Sequence, residues 1–195
     1  MTRNVGVSDV VVTDVHEFAK LARKHIKRTD RVVMFPKKFD DKHLLKTYTQ
    51  RAGSKPSGVW YACGTDWIDW CEHEMPGWIA PYLYRLNLDM KNVLQPKSLD
   101  KFTQDYDKTK SGLSGSYDID WPLIARQYDG IEICPYRHEH RMSMGWYYPW
   151  DVASGCIWNI DAIKSFERIE FTELVLADRA RHVGARLGAA TGRSL

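Results

Sequence analysis

Apolar and polar residues alternate along this chain in a way that predicts several short strands. Apolar side chains recur at every second position in one stretch, as expected for a strand with one buried face: Tyr82, Tyr84, Leu86 and Leu88. Shorter apolar runs that adjoin Pro or Gly are also predicted to be strands: RVVMF (31–35), GVWYA (58–62) and GIEI (130–133).

Capping residues mark where helices begin. Asp14 and Glu17 form a capping-box pattern ahead of a helix predicted over about 14–27, and Asp120 precedes a Trp-Pro pair at a second helix start. Further helices are predicted in three places: 66–74, 99–106 and about 172–188. Residues 40–51 are expected to pass from helix into strand. Because short strands and helices interleave, we predict a single α+β domain over 1–195, with its core at about 31–171.

Composition favours a globular protein with reduced cysteines. Of 195 residues, 44% are hydrophobic and 27% charged, and a net charge of +3 is too weak to require an anionic partner. The four cysteines lack CxxC spacing, and the N-terminal segment has no apolar run typical of a signal peptide. No stretch approaches the roughly 18 to 20 apolar residues of a membrane-spanning helix. We therefore expect a cytoplasmic protein with free thiols and no membrane partner.

Histidines and cysteines occur in CEHE (71–74) and CPYRHEH (134–140), where Cys134 and His138 come closest to metal-ligand spacing. Neither segment has the recurring CxxC or HxxxH spacing of tetrahedral zinc sites, so no metal is expected. The chain also lacks a Walker-type glycine-rich loop and a GxGxxG motif, which disfavours those nucleotide-binding folds.

Glu132 is the candidate for chemistry, since it lies between two isoleucines on a predicted strand. Alternation directs Ile131 and Ile133 to one face and Glu132 to the other, either into a cleft or into water. A carboxylate beside a cleft can stabilise the positive charge that develops at an anomeric carbon. Trp60 and Tyr61 follow a Pro-Ser-Gly turn and are either packed strand residues or a platform for a flat ring.

The order of GVWYACG, a helix, YLYRLNLD and YDGIEI resembles the ADP-ribosyltransferase superfamily. That resemblance implies an α+β fold in which a split β-sheet core forms a cleft for NAD, with flanking helices. It also implies three functional residues on three separate strands: an Arg or His, an aromatic or small hydroxyl residue, and a catalytic Glu.

Carried onto this sequence, the resemblance makes Glu132 the catalytic acid and places Trp60 where an aromatic ring stacks on nicotinamide, with Tyr61 beside it. Both aromatic residues are therefore expected to bind NAD. For the first strand the resemblance leaves three candidates: Arg51 if TYTQR is that strand, then His43, and Arg31 if RVVMF takes the role.

The implied activity is NAD-dependent transfer of ADP-ribose to a protein side chain or a nucleic-acid base, as in a toxin or effector with an inhibitor protein of its own. Gly130 stands where many protein-modifying members carry Glu or Gln, which weakens the case for arginine as the acceptor. Two basic stretches, 22–28 and 179–186, could contact phosphates, and the loop 108–117 could shape acceptor choice.

Two alternatives remain. An NAD-dependent RNA phosphotransferase on the same fold would need several Arg and His residues around an RNA phosphate, and no clear set is seen. A non-catalytic binding module would use an aromatic surface around GWYYPW (145–150), with Trp146 and Trp150 contacting the partner.

Overall fold

A computed structural model of the chain describes residues 14–40, 42, 44–108 and 118–170. These residues form a mixed α+β fold around one curled sheet of seven strands, which confirms the predicted class at that level. The strands are β1 (Arg31–Phe35), β2 (Val59–Cys63), β3 (Tyr82–Leu88), β4 (Val93–Leu94), β5 (Gly130–Ile133), β6 (Ser154–Ile157) and β7 (Ile163–Ile169). The α-helices of the described residues are α1 (Val15–His25), α2 (Asp66–His73), α3 (Leu99–Tyr106) and α4 (Trp121–Ala125).

The strands lie in the order β4-β5-β6-β2-β1-β3-β7, and every pair except β4–β5 is antiparallel. Glu132 lies opposite Gly155, and Gly155 lies opposite Tyr61. Because directly paired residues project from the same face, these three residues share one face of the sheet. Arg31, opposite Cys63, belongs to the same face, which we call the inner face.

The opposite, outer face is covered by the helices. Phe18 and Leu21 of α1 pack on Val32 and Leu83, and the hydrophobic spacing of α1 supplies this contact. Farther along the sheet, Ile131 and Ile133 pack in a second cluster that includes residues of α3, α4 and the segment 144–150. The outer face therefore carries most of the helical packing, and the inner face of β5, β2 and β1 is left for other contacts.

Local signals place most of the predicted helices and strands correctly. Asp14 caps α1 by accepting a hydrogen bond from the backbone N–H of Glu17, and α3 begins and ends where the pattern predicts. The strand expected over 47–51 is not formed, because Thr47 makes only an isolated bridge to Asn159. The predicted helix at 172–188 and residues 109–117 of the loop lie outside the described residues.

Among the described residues, none of the helices is both long and apolar enough to cross a membrane.

Candidate functional site

The carboxylate of Glu132 lies at the centre of a cluster on the inner face. Its side chain is 7% exposed and accepts hydrogen bonds from three residues of other elements. Arg31 binds both carboxylate oxygens, with Nε 2.5 Å from Oε2 and a terminal nitrogen 3.0 Å from Oε1. The hydroxyl of Tyr61 donates to Oε2 at 3.0 Å, and the amide of Gln95 donates to Oε1 at 2.8 Å. Each oxygen thus accepts two hydrogen bonds.

The strand pattern around Glu132 explains this position. Ile131 and Ile133 are buried on the outer face, so alternation directs Glu132 to the inner face, as the sequence predicted. There the sheet curls, and side chains of distant strands meet. β1 and β5 are separated by three strand steps, about 14 Å in a flat sheet, so the contact between Arg31 and Glu132 depends on the curl. The alternative of a solvent-exposed Glu132 is wrong.

Gly155 makes room for Tyr61 to reach Glu132. It lies between the two in the pairing of β5, β6 and β2, and a Cβ added to it would overlap Cζ and the hydroxyl oxygen of Tyr61. The ring of Tyr61 therefore passes directly over the backbone of β6. A side chain at position 155 would separate Tyr61 from the carboxylate.

Gln95 reaches the site through the parallel pairing of β4 and β5. Leu94 lies opposite Ile131, so the next residue, Gln95, comes beside Glu132. Neither Gln95 nor Gly155 was predicted from the sequence to belong to the site. A glycine within a strand is a signal of close approach by another group, and it could have drawn attention to Gly155, whereas no local signal identifies Gln95.

Burial and the negative charge of Glu132 together determine the protonation states of Arg31 and Tyr61. Burial lowers the pKa of Arg31, but the hydrogen bonds and charge of Glu132 outweigh it, so the net shift is upward. Burial, followed by the negative charge of Glu132, raises the pKa of Tyr61 well above its usual value. The Tyr61 hydroxyl therefore keeps its proton and acts as a donor, and Arg31 remains a cation.

Of the three candidates for the first-strand residue, the structure brings Arg31 to Glu132. Arg51 is exposed in the loop that precedes β2, and the strand on which its assignment depended is absent. His43 lies outside the described residues. Arg31 begins β1 and was the candidate tied to RVVMF being the strand, a condition that the fold meets.

Trp60 and Tyr61 project from opposite faces of β2. Tyr61 contacts Glu132, whereas Trp60 lies on the outer face and packs edge-on against Trp150, with ring centroids 4.9 Å apart. The indole N–H of Trp60 donates to the carbonyl of Pro56 at 3.2 Å, and the ammonium of Lys55 lies 5.0 Å from the ring centroid. The structure thus does not bring Trp60 and Glu132 together.

Cys63 and Cys134 form a disulfide at the edge of the cluster. The expectation that all four cysteines are free thiols is wrong for these two, because the curl of the sheet brings together residues that are 71 positions apart. The sulfurs and a Glu132 oxygen lie within 4.8 Å of one another, a grouping that could ligate a metal. Here, however, the sulfurs are bonded to each other and the carboxylate already accepts hydrogen bonds from three residues.

The aromatic segment at 145–150 is mainly interior. Trp146 is 0% exposed and Trp150 is 1% exposed, and both pack with Trp121 in the cluster that includes Ile131 and Ile133. Tyr148 is the exposed aromatic residue of the segment. An aromatic binding surface that uses Trp146 and Trp150 is therefore not present in this fold.

No protein-family model, no curated protein and no solved structure was found to match this chain.

Proposed function

We propose that this protein is an NAD-dependent ADP-ribosyltransferase in which Glu132 is the catalytic acid. The observation that carries the proposal is the convergence of Arg31 from β1, Tyr61 from β2 and Glu132 from β5 at one point of the inner face. The resemblance implies that an Arg, an aromatic residue and a Glu come together from three separate strands. The cluster supports this pattern with an Arg, an aromatic residue and a Glu in the implied strand order, although its aromatic residue is Tyr61 and not Trp60, to which the resemblance gives the stacking role.

The chemistry of the proposed reaction suits a held carboxylate. As the bond between nicotinamide and ribose breaks, nicotinamide leaves with the electron pair and positive charge develops on the anomeric carbon. Glu132 would stabilise that charge or accept a hydrogen bond from a ribose hydroxyl. The acceptor nucleophile then forms the new bond to the anomeric carbon and releases its proton to water. Donors that hold Glu132 in place spare the reaction the cost of reorienting it.

Arg31 has two roles under this proposal. In the described structure it fixes the orientation of Glu132 through both carboxylate oxygens. A guanidinium is also suited to bidentate binding of phosphate, so it can hold the pyrophosphate of NAD near the carboxylate. The partial exposure of Arg31, 25% of the side chain, leaves part of it available to such a ligand.

The surroundings of Gly130 bear on the acceptor. A Cβ at this position would lie 2.5 Å from Cδ1 of Ile157 and 2.7 Å from the carbonyl oxygen of Cys156. The Glu or Gln that many protein-modifying enzymes carry two residues before the catalytic Glu could not be placed here without moving β6. This supports an acceptor other than arginine, and a nucleic-acid base is the alternative that we would test first.

Nicotinamide release tests the proposal. Purified protein would be incubated with NAD, alone and with RNA, DNA or cell-lysate protein, and free nicotinamide would be quantified by chromatography. We expect release by the wild type that is lowered at least about 100-fold in Glu132→Gln, since groups that stabilise developing charge contribute factors of this size. The addition that accelerates release identifies the class of acceptor.

Glu139→Gln is the matched control, because Glu139 is an exposed residue in the short 3-10 helix that follows β5 in sequence. It should release nicotinamide at the wild-type rate. Circular dichroism would establish that Glu132→Gln remains folded. Absence of nicotinamide release from the wild type under all four conditions, or full activity of Glu132→Gln, would contradict the proposal.

A further inference from the structure

The disulfide joins the two strands that supply Tyr61 and Glu132. Cys63 ends β2, two residues after Tyr61, and Cys134 directly follows β5, two residues after Glu132. Side chains two residues apart on a strand share a face, so both sulfurs lie on the inner face with the cluster. Cys63 is also the pairing partner of Arg31. The disulfide therefore lies next to all three residues of the proposed site.

The Cα atoms of Cys63 and Cys134 are 6.5 Å apart. β6 separates β2 from β5 in the sheet, so two strand steps would place backbone atoms about 9.6 Å apart in a flat sheet. The two strands thus converge on the inner face at this end. The disulfide links the two strands where they converge, beside the buried carboxylate of Glu132.

The four cysteines differ in how easily reagents reach them. Cys63 and Cys134 are partly exposed, whereas Cys71 and Cys156 are each 0% exposed. Burial raises the pKa of the Cys71 thiol to about 11 and that of Cys156 further still, so neither forms a reactive thiolate at neutral pH. Thiol exchange in the folded protein is therefore directed to the pair beside Glu132.

We propose that the Cys63–Cys134 disulfide is a reversible redox control of the site at Glu132, and that reduction opens the site to its substrate. The proposal rests on the proposed function for the identity of that substrate. In the oxidised form the carboxylate is 7% exposed and its oxygens are occupied by Arg31, Tyr61 and Gln95. Separation of the ends of β2 and β5 would widen the access of a ligand to Glu132, and the disulfide opposes that separation.

The chemical step is thiol–disulfide exchange with a dithiol. A thiolate of the reductant attacks one sulfur, the bond between Cys63 and Cys134 breaks, and a mixed disulfide forms. The second thiol of the reductant then displaces the protein sulfur. The products are two protein thiols and one reductant disulfide, with two electrons and two protons transferred to the protein. The free sulfurs no longer hold the strand ends together.

Thiol labelling and hydrogen exchange test the control without any assay of activity. Oxidised wild-type protein should show no alkylation under native conditions, and after dithiothreitol it should be alkylated at Cys63 and Cys134 alone. Deuterium uptake at the ends of β2 and β5 should then be at least about tenfold faster in the reduced protein, because local opening sets the exchange rate. Failure of the pair to form a disulfide after treatment with oxidised glutathione, or equal uptake in the two forms, would overturn the proposal.

Nicotinamide release from NAD is the second readout. We expect reduced wild type and the double variant Cys63→Ser/Cys134→Ser to release nicotinamide at least about tenfold faster than oxidised wild type. A factor of this size follows if the open form is about a tenth of the oxidised population or less and predominates after reduction. The double variant should not respond to dithiothreitol, whereas Cys71→Ala should respond like the wild type. Equal rates in the two redox forms would overturn the proposal. If no form releases nicotinamide, the proposed function fails, and hydrogen exchange alone decides whether the disulfide controls the opening.

Discussion

Substitution of Gly155 by Ala is expected to destabilise the fold through one defined contact. The new Cβ would overlap Cζ and the hydroxyl oxygen of Tyr61 and come within 2.8 Å of the carbonyl oxygen of Ile131. Forcing atoms into a packed core costs about 1–3 kcal/mol. Moving Tyr61, which is 3% exposed, also breaks its hydrogen bond to the Glu132 carboxylate, a bond type worth about 1.5–3 kcal/mol. We expect Gly155→Ala to lower the free energy of unfolding by about 3–5 kcal/mol.

Urea denaturation followed by tryptophan fluorescence would measure this loss. Gly77→Ala is the matched control, because nothing lies within 4 Å of a Cβ at that position, and its effect should stay within about 0.5 kcal/mol. In a Tyr61→Ala background the overlap with Tyr61 disappears and only the close contact with the Ile131 carbonyl oxygen remains, so Gly155→Ala should cost at least about 1 kcal/mol less there. If Gly155→Ala costs no more than Gly77→Ala, or if its cost is unchanged in the Tyr61→Ala background, overlap with Tyr61 is not what destabilises the protein.

Two further predictions concern residues away from the site. Hydrogen bonds from His16 and Arg23 lower the pKa of Glu72. Its ionised form therefore stabilises the fold at pH values above the pKa of Glu in the unfolded chain, which is about 4.3, and this stabilisation is lost as the pH falls through the lowered pKa. Glu72→Gln should therefore be less stable than the wild type at pH 7 and equally stable well below pH 4, which urea denaturation at a series of pH values would measure. Substitution of the exposed Glu74 by Gln is the control and should match the wild type at every pH. A loss of stability in Glu72→Gln that does not depend on pH would contradict this. Trp150→Ala should lower the free energy of unfolding by about 3–5 kcal/mol in the same assay, and unchanged stability would show that Trp150 is not part of the core.

Local sequence signals predicted the elements that they control. The Asp14 cap of α1 and the Asp120 cap of α4 both accept the expected backbone hydrogen bonds, because capping depends on residues three positions apart. β6 and β7 were not predicted. β6 is four residues long and follows an aromatic segment, and β7 is an edge strand whose side chains are mostly exposed or half-buried, so neither gives a clear pattern.

The site itself was predictable only in part. Glu132 could be singled out because the adjacent residues Ile131 and Ile133 determine which face of the strand its side chain occupies. The choice between Arg31 and Arg51 could not be made in this way, since each lies in a segment that was a candidate for the first strand, and only strand pairing shows which one faces the carboxylate. The spacing of Cys63 and Cys134 likewise did not indicate a disulfide, because the two residues are far apart in sequence and come together only in the folded sheet.

Both carboxylate oxygens of Glu132 already accept two hydrogen bonds, and this limits how a substrate could bind to it. A ribose hydroxyl would have to replace one of the present donors. Arg31 is the least replaceable, because its loss would leave a buried carboxylate without its counter-charge. Tyr61 is buried and lies against Gly155, so its ring has little room to move. Gln95 is neutral and follows a strand of only two residues, β4, so it is the donor that a hydroxyl would displace at the lowest cost. Exchange at Gln95 would leave Arg31 and Tyr61 in place and keep Glu132 oriented during the proposed reaction.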